Sequence, residues 1–127
     1  MAERDLARLL RGMEPELHDL PYGFGLWTGA ALPFAPFATV AEVEGLTVVA
    51  PLAGIEAAGM SSDPWARISL TIHSDLVAVG LTAAIAGALG AIGISCNVIA
   101  GLYHDHLFVP WERRQDALTA LQALSDA

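Results

Sequence analysis

RISLTIHSDLVAVGLTAAIAGALGAIGISCNVIA, residues 67–100, decides the fold. It opens with Ile68, Leu70 and Ile72 alternating with Arg67, Ser69, Thr71 and His73, the two-residue period of a strand buried on one face. From about Val79 the period changes. Leu81, Ile85, Leu89 and Ile92 recur at helical spacing, while Ala83, Ala84, Gly87 and Gly90 lie mostly off that stripe. Gly93 stands where a helix stops in the left-handed conformation, and Ser95 to Ala100 resumes a strand.

The pattern continues on both sides. Gly101 to Asp105 turns into a strand over His106 to Val109, Pro110 breaks it, and Glu112 to Leu124 closes as a helix with Ala117, Leu118, Leu121 and Leu124 inward. From Trp65 onward the order is therefore β-α-β-β-α, an α+β layer with both helices on one sheet face. Upstream, Asp5 to Met13 predicts a short helix with Leu6, Leu9 and Leu10 inward. Tyr22 to Trp27 predicts a strand with Gly23 and Gly25 on one face. Pro33 and Pro36 mark a loop. Phe37 to Val43 and Leu46 to Ala50 form a hairpin about Glu44-Gly45, with Pro51 ending the second run. Ile55 to Met60 predicts one helical turn, and Ser61 to Pro64 a linker.

With 127 residues the chain has room for one domain or for two half-size subdomains sharing a core. It is 54% apolar and 16% charged, which supplies a core and excludes disorder as a description of the whole. Fourteen acidic residues against six basic ones give a charge of −8, which disfavours nucleic acid and anionic lipid as partners. Cys96 is the single cysteine, so no intramolecular disulfide is possible. Met1 to Leu10 lacks the basic-then-apolar order of a signal peptide, and the expected compartment is the cytoplasm. Leu76 to Ile94 is uncharged and long enough to span a bilayer. Its Ala and Gly content contributes little transfer free energy, and its single bulky stripe predicts a buried helix and no membrane partner.

Three groups of residues could carry chemistry. The turn His73-Ser74-Asp75 through Val79-Gly80-Leu81 leads from strand to helix, where exposed N–H groups attract an anion; the same residues also read as an ordinary cap. His104 and His106 project to one face about 7 Å apart, from the strand rise, while Asp105 points the other way. A zinc site needs three or four convergent ligands, so a polar corner or an effector contact is expected there in place of a metal. Cys96 sits in an apolar strand without an adjacent base and reads as a small buried residue. Trp27, Trp65 and Trp111 fall at element edges. No pairing of Glu42, Glu44 and Glu56 across a cleft follows from their spacing.

The segments FATVAEVEGLTVVAP (Phe37 to Pro51), TIHSDLVAVGLTAAI (Thr71 to Ile85) and GISCNVIAGLYHDHLFVP (Gly93 to Pro110) resemble bacterial proteins in which two ACT-like halves are joined. The β-α-β-β-α order and the run LGAIGISCNV (Leu89 to Val98) resemble the ACT domain of aspartate kinases; arginine-sensing proteins of animal nutrient signalling are similar in kind. The resemblance covers the chain from about Leu17 onward. Where aspartate kinases commonly carry Asn directly after Gly-Ile, this chain has Ser95, with Asn97 two residues on and on the same strand face.

That resemblance implies a ferredoxin-like ACT fold of two halves, residues 1–62 and 63–127, sharing antiparallel sheets with helices on one face. It implies a non-catalytic regulatory module that binds a small amino acid or related metabolite, forms a homodimer and acts on a protein outside this chain, with no catalytic residue, metal or cofactor. The ligand-binding residues it implies are Ser74, Asp75, Val79, Gly80, Leu81, Ile94, Ser95, Asn97, His104 and His106. The effector carboxylate is expected at the helix start, and its amino group toward Ser95, Asn97 or Asp75. Two alternatives stay open: a small metal-dependent enzyme using His73, His104 and His106, and a ligand-free dimerisation module.

Overall fold

Alternation along Trp65–Leu70 puts Ala66, Ile68 and Leu70 on one face, and all three are buried. That face anchors the larger of the two compact units seen in the computed structural model, which describes residues 3–73, 75 and 78–126. In chain order the elements are α1 (Leu6–Arg11), β1 (Pro15–Leu17), β2 (Tyr22–Trp27), β3 (Ala38–Glu42), β4 (Gly45–Pro51), α2 (Leu52–Ala57), β5 (Trp65–Leu70), α3 (Leu81–Ala91), β6 (Asn97–Ala100), β7 (Asp105–Pro110), a 3-10 turn (Trp111–Arg113) and α4 (Arg114–Asp126).

The larger unit combines Met1–His18 with Ala66–Ala127. Its strands run in the order β1-β5-β7-β6, with β1 antiparallel to β5 and β6 antiparallel to β7. Leu9 of α1, Leu81, Ile85 and Leu89 of α3, and Ala117 and Leu121 of α4 pack with Ile68, Leu70, Leu107 and Val109 of the sheet in one buried cluster. The helices therefore share one face of an antiparallel sheet, the α+β, ferredoxin-like arrangement. Burying each such Leu or Ile contributes roughly 1.5–3 kcal/mol, so the stripe of α3 alone is a large part of what holds the layer together.

The smaller unit, Asp19–Trp65, is the antiparallel sheet β3-β4-β2 with α2. Val48 and Ala50 meet Ile55 and Met60 in its core. Gly25 permits this contact, because a Cβ there would come within 2.8 Å of the Met60 sulfur and 2.9 Å of its Cβ. The hairpin closes on Gly45, whose φ of 147° favours glycine.

Several boundaries differ from the sequence expectation. β1 is not foreseen by periodicity, since three residues cannot display a period; Pro15 stands first in the strand, where its missing N–H is tolerated. α2 begins at Leu52, three residues before the expected turn, because Pro51 ends β4 and directly precedes the helix. α3 begins after Gly80, not at Val79, since Gly80 takes the left-handed conformation with φ 101° and Val79 lies outside the helix. Ile92, expected on the buried stripe, is the residue that ends α3 and is 45% exposed. Among the described residues no helix is long and apolar enough to cross a membrane.

Candidate functional site

The helix-free face of the larger unit's sheet carries a group of polar side chains beside the fully buried Phe108. With Ala66, Ile68 and Leu70 turned to the core, Arg67, Ser69 and Thr71 turn to the other face. Glu16 of β1 pairs with Ser69, and the His18 N–H donates to the Arg67 carbonyl at 3.0 Å. On β7, Leu107 and Val109 belong to the core, so His106 faces the same way as Arg67. These residues and His104 line a depression of about 270 Å³.

Its proton arrangement follows from one fact, that an arginine only donates. Arg67 Nη2 lies 3.4 Å from His106 Nδ1, and Ser69 Oγ is 2.8 Å from that same nitrogen and 2.8 Å from His18 Nε2. With Arg67 donating to it, His106 Nδ1 is the acceptor of both contacts. Ser69 Oγ–H donates to His106 Nδ1, and His18 Nε2–H donates to Ser69 Oγ. The proton of neutral His106 then resides on Nε2. Burial first, and then the positive charges of Arg67, His104 and His18, push the His106 pKa from 6.5 down to about 4, so the ring is neutral at pH 7. His104 is oriented separately, its Nδ1 donating to the Ile72 carbonyl at 3.3 Å.

His73 lies beside this corner rather than in the depression, its ring centroid 5.2 Å from Tyr103 and 6.5 Å from His104. Among the described residues there is no group of three or more His, Cys, Asp or Glu side chains that can hold a metal ion. Cys96 is half-buried, and burial pushes its thiol pKa up, away from the thiolate a nucleophile requires.

The expected ligand residues fall in several places. Ser74 lies outside the described residues. The Asp75 carboxylate takes an ion pair from Arg4 Nε at 2.8 Å, and its backbone N–H donates to the Glu3 carbonyl. Val79 is exposed, Gly80 precedes the first turn of α3 without a side-chain cap, and Leu81 and Ile94 are buried in the core. Ser95 and Asn97 are exposed, and Asn97 pairs with Phe108, placing it on the sheet face of His106. Thus Asn97, His104 and His106 share a face. Arg67, Ser69, His18 and Glu16 join them there, and sequence reasoning had not selected any of those four. The polar half of the Arg67–His73 alternation was the visible signal for Arg67 and Ser69; His18 and Glu16 had none.

Comparison with known proteins bears on the family and the fold. The ACT domain family matches residues 1–67 and again residues 60–123. A crystal structure of a protein of unknown function from Vibrio cholerae, described as a possible transport protein, is 47% identical, with a TM-score of 0.83 over 94% of this chain and 95% of that one. A structure from Agrobacterium tumefaciens is 18% identical, with a TM-score of 0.69 over 83% of each chain. The regulatory subunit of aspartate kinase from Thermus flavus shares the fold at 13% identity, with a TM-score of 0.63 over 87% of this chain and 95% of that one. No curated protein matches. Two successive matches to one family, on an α+β fold common to aspartate kinase regulatory subunits, make this chain a member of the ACT domain family.

Proposed function

We propose that the chain is a non-catalytic regulatory module that binds a small amino acid or related metabolite and passes the bound state to a protein outside the chain. What carries this reading is the double ACT match, since ACT domains are typically regulatory, ligand-binding modules. In this reading the halves are residues 1–62 and 63–127, the module works as a homodimer in the cytoplasm, and no metal or cofactor takes part.

The effector position is the start of α3 with the adjoining strand: Ser74, Asp75, Val79, Gly80, Leu81, Ile94, Ser95 and Asn97, and next to them His104 and His106. Backbone N–H groups at the helix start receive the carboxylate without a basic side chain, and polar oxygens receive the ammonium group. What supports this position is that Gly80 takes a left-handed φ of 101° and that no side-chain hydrogen bond caps α3 among the described residues.

A thermal-shift screen against the twenty amino acids tests the proposal. An effector at a hundred times its dissociation constant adds about 2.7 kcal/mol of stability. Asn97→Ala, at an exposed position, should then weaken binding about tenfold or more with the fold intact, since a charged group loses a partner. A screen in which no amino acid shifts the midpoint counts against the reading.

A further inference from the structure

We infer that the open edge of β3, at the border of the smaller unit, is a docking strand for an extended basic segment of a partner protein, which joins the sheet as an added strand. β3 ends the strand order among the described residues, and Thr39, Val40, Ala41 and Glu42 are all exposed. The direction of its backbone groups follows from the register. The Phe37 N–H donates to the Val49 carbonyl at 2.8 Å, so Val49 points its polar backbone groups at β3. Its register partner is Ala38, and alternation then turns the N–H and C=O of Ala38, Val40 and Glu42 toward β4 and those of Thr39 and Ala41 outward. Native sheets blunt such edges with Pro, Lys or a covering element. Ala38 to Glu42 contains neither residue.

The side chains set the occupant. Val48 and Ala50 turn to α2, so Thr47 turns to the opposite face, with Val40 beside it on β3 and Leu26 on β2. Val40 is 52% and Leu26 53% exposed, an apolar row that ends at the open edge. Glu42 shares that face, and its carboxylate accepts from the Thr47 hydroxyl, which holds it beside the row. Glu44 stands in the turn that follows. A strand added antiparallel to β3 therefore needs an apolar side chain opposite Val40 and a cation opposite Glu42.

The charge of the whole unit points the same way. Asp19, Glu42, Glu44, Glu56 and Asp63 are the charged residues of Asp19–Trp65, and all six basic residues of the chain lie outside it. A second copy brings an equally anionic unit to the edge, which like charge opposes, whereas a basic segment is drawn to it. The backbone supplies the ladder of hydrogen bonds, and the alternating side chains supply the selectivity. The inference is argued from β3 and its own unit and does not depend on the effector position at α3.

The probe is the peptide acetyl-Arg-Thr-Arg-Thr-Val-Thr-Val-amide. In antiparallel register it sets its arginines beside Glu44 and Glu42, its first valine opposite Val40 and its last two threonines opposite Ala41 and Thr39. Amide resonances and amide exchange of the full chain are followed by NMR as it is added. The expected result is a saturable shift along β3 and slowed exchange at Thr39 and Ala41. The response is lost in Ala41→Pro, which removes an outward N–H and leaves the β4 ladder intact, and Glu42→Gln and Glu44→Gln each weaken it about two- to fivefold. N-methylation of the last two threonines of the peptide removes its ladder donors and abolishes binding to the parent protein, a test that holds even where Ala41→Pro fails to fold by circular dichroism. Absence of saturation, unchanged exchange at Thr39 and Ala41 with peptide bound, equal binding of the N-methylated peptide or of one with Glu in place of Arg, or shifts centred on β6 overturn the proposal. Loss of a dimer in Ala41→Pro by sedimentation also overturns it, by giving the edge to a second copy. An amino-acid screen that fails while the peptide protects Thr39 and Ala41 removes the effector reading and leaves this edge standing.

Discussion

His106 is held neutral by burial and by Arg67, His104 and His18, and that arrangement has a consequence for stability. Its folded pKa of about 4 lies below the ordinary 6.5, so between those values the unfolded chain binds more protons than the native one. Stability from this group is therefore fully present above pH 6.5 and is lost as pH falls toward 4. His106→Gln, which keeps a polar group without a titration, should flatten the fall of the melting midpoint across that window relative to the parent. Melting curves at stepped pH read the difference, and parallel curves for the two proteins would contradict it. At Gly80, φ of 101° and Leu6 Cδ2 at 3.1 Å from an added Cβ both oppose a side chain. Gly80→Val is therefore expected to lower the melting midpoint even without ligand. The His104 to His106 corner was legible because period two alone puts both rings on one face. Ser69 is 37 residues from His106 and His18 is 51 from Ser69, and only the placement of β1 and β7 on either side of β5 joins them. No local pattern encodes a contact at that separation.

Elements whose length displays a full period were legible, and those that lack one were not. α3 and α4 show stripes over several turns, and β2 has the bounds its glycine alternation predicts. β1 has three residues and is defined by its partner, through Pro15 opposite Leu70 and Leu17 opposite Ile68. Within α3 the two glycines differ in kind from those of β2. A Cβ at Gly87 or Gly90 meets nothing within 4 Å, so Gly87→Ala and Gly90→Ala should each stabilise by about 0.5–1 kcal/mol, measured by urea unfolding. Gly25→Ala should instead destabilise by about 1–3 kcal/mol, because its Cβ overlaps Met60. Equal effects at Gly25 and Gly87 would contradict the close packing of β2 on α2. Leu89→Ala, at a fully buried position, should cost about 2–5 kcal/mol.

For the molecule as a whole, the exposed apolar side chains and the open strand edge of β6 bear on association. Leu102 is 64% and Tyr103 62% exposed, and β6 ends the strand order of the larger unit. Edges of this kind are covered in native proteins. Sedimentation at micromolar concentration is expected to return a species of twice 13.3 kDa, and a persistent 13.3 kDa species would end the dimer proposal. The fold class was readable at this scale because β-α-β-β-α order admits few packings.

The larger unit draws its first helix and β1 from residues up to His18, and the strands that receive them from beyond Ala66. During synthesis Leu9, Met13 and Leu17 therefore leave the ribosome well before Ile68 and Leu70, their partners in the finished core. Until then these apolar side chains have no native place, whereas β2, β3 and β4 follow one another and can close by local contacts. Because domains fold as their segments emerge, the order of synthesis along this chain is not the order of completion, and α1 and β1 await the strands that receive them.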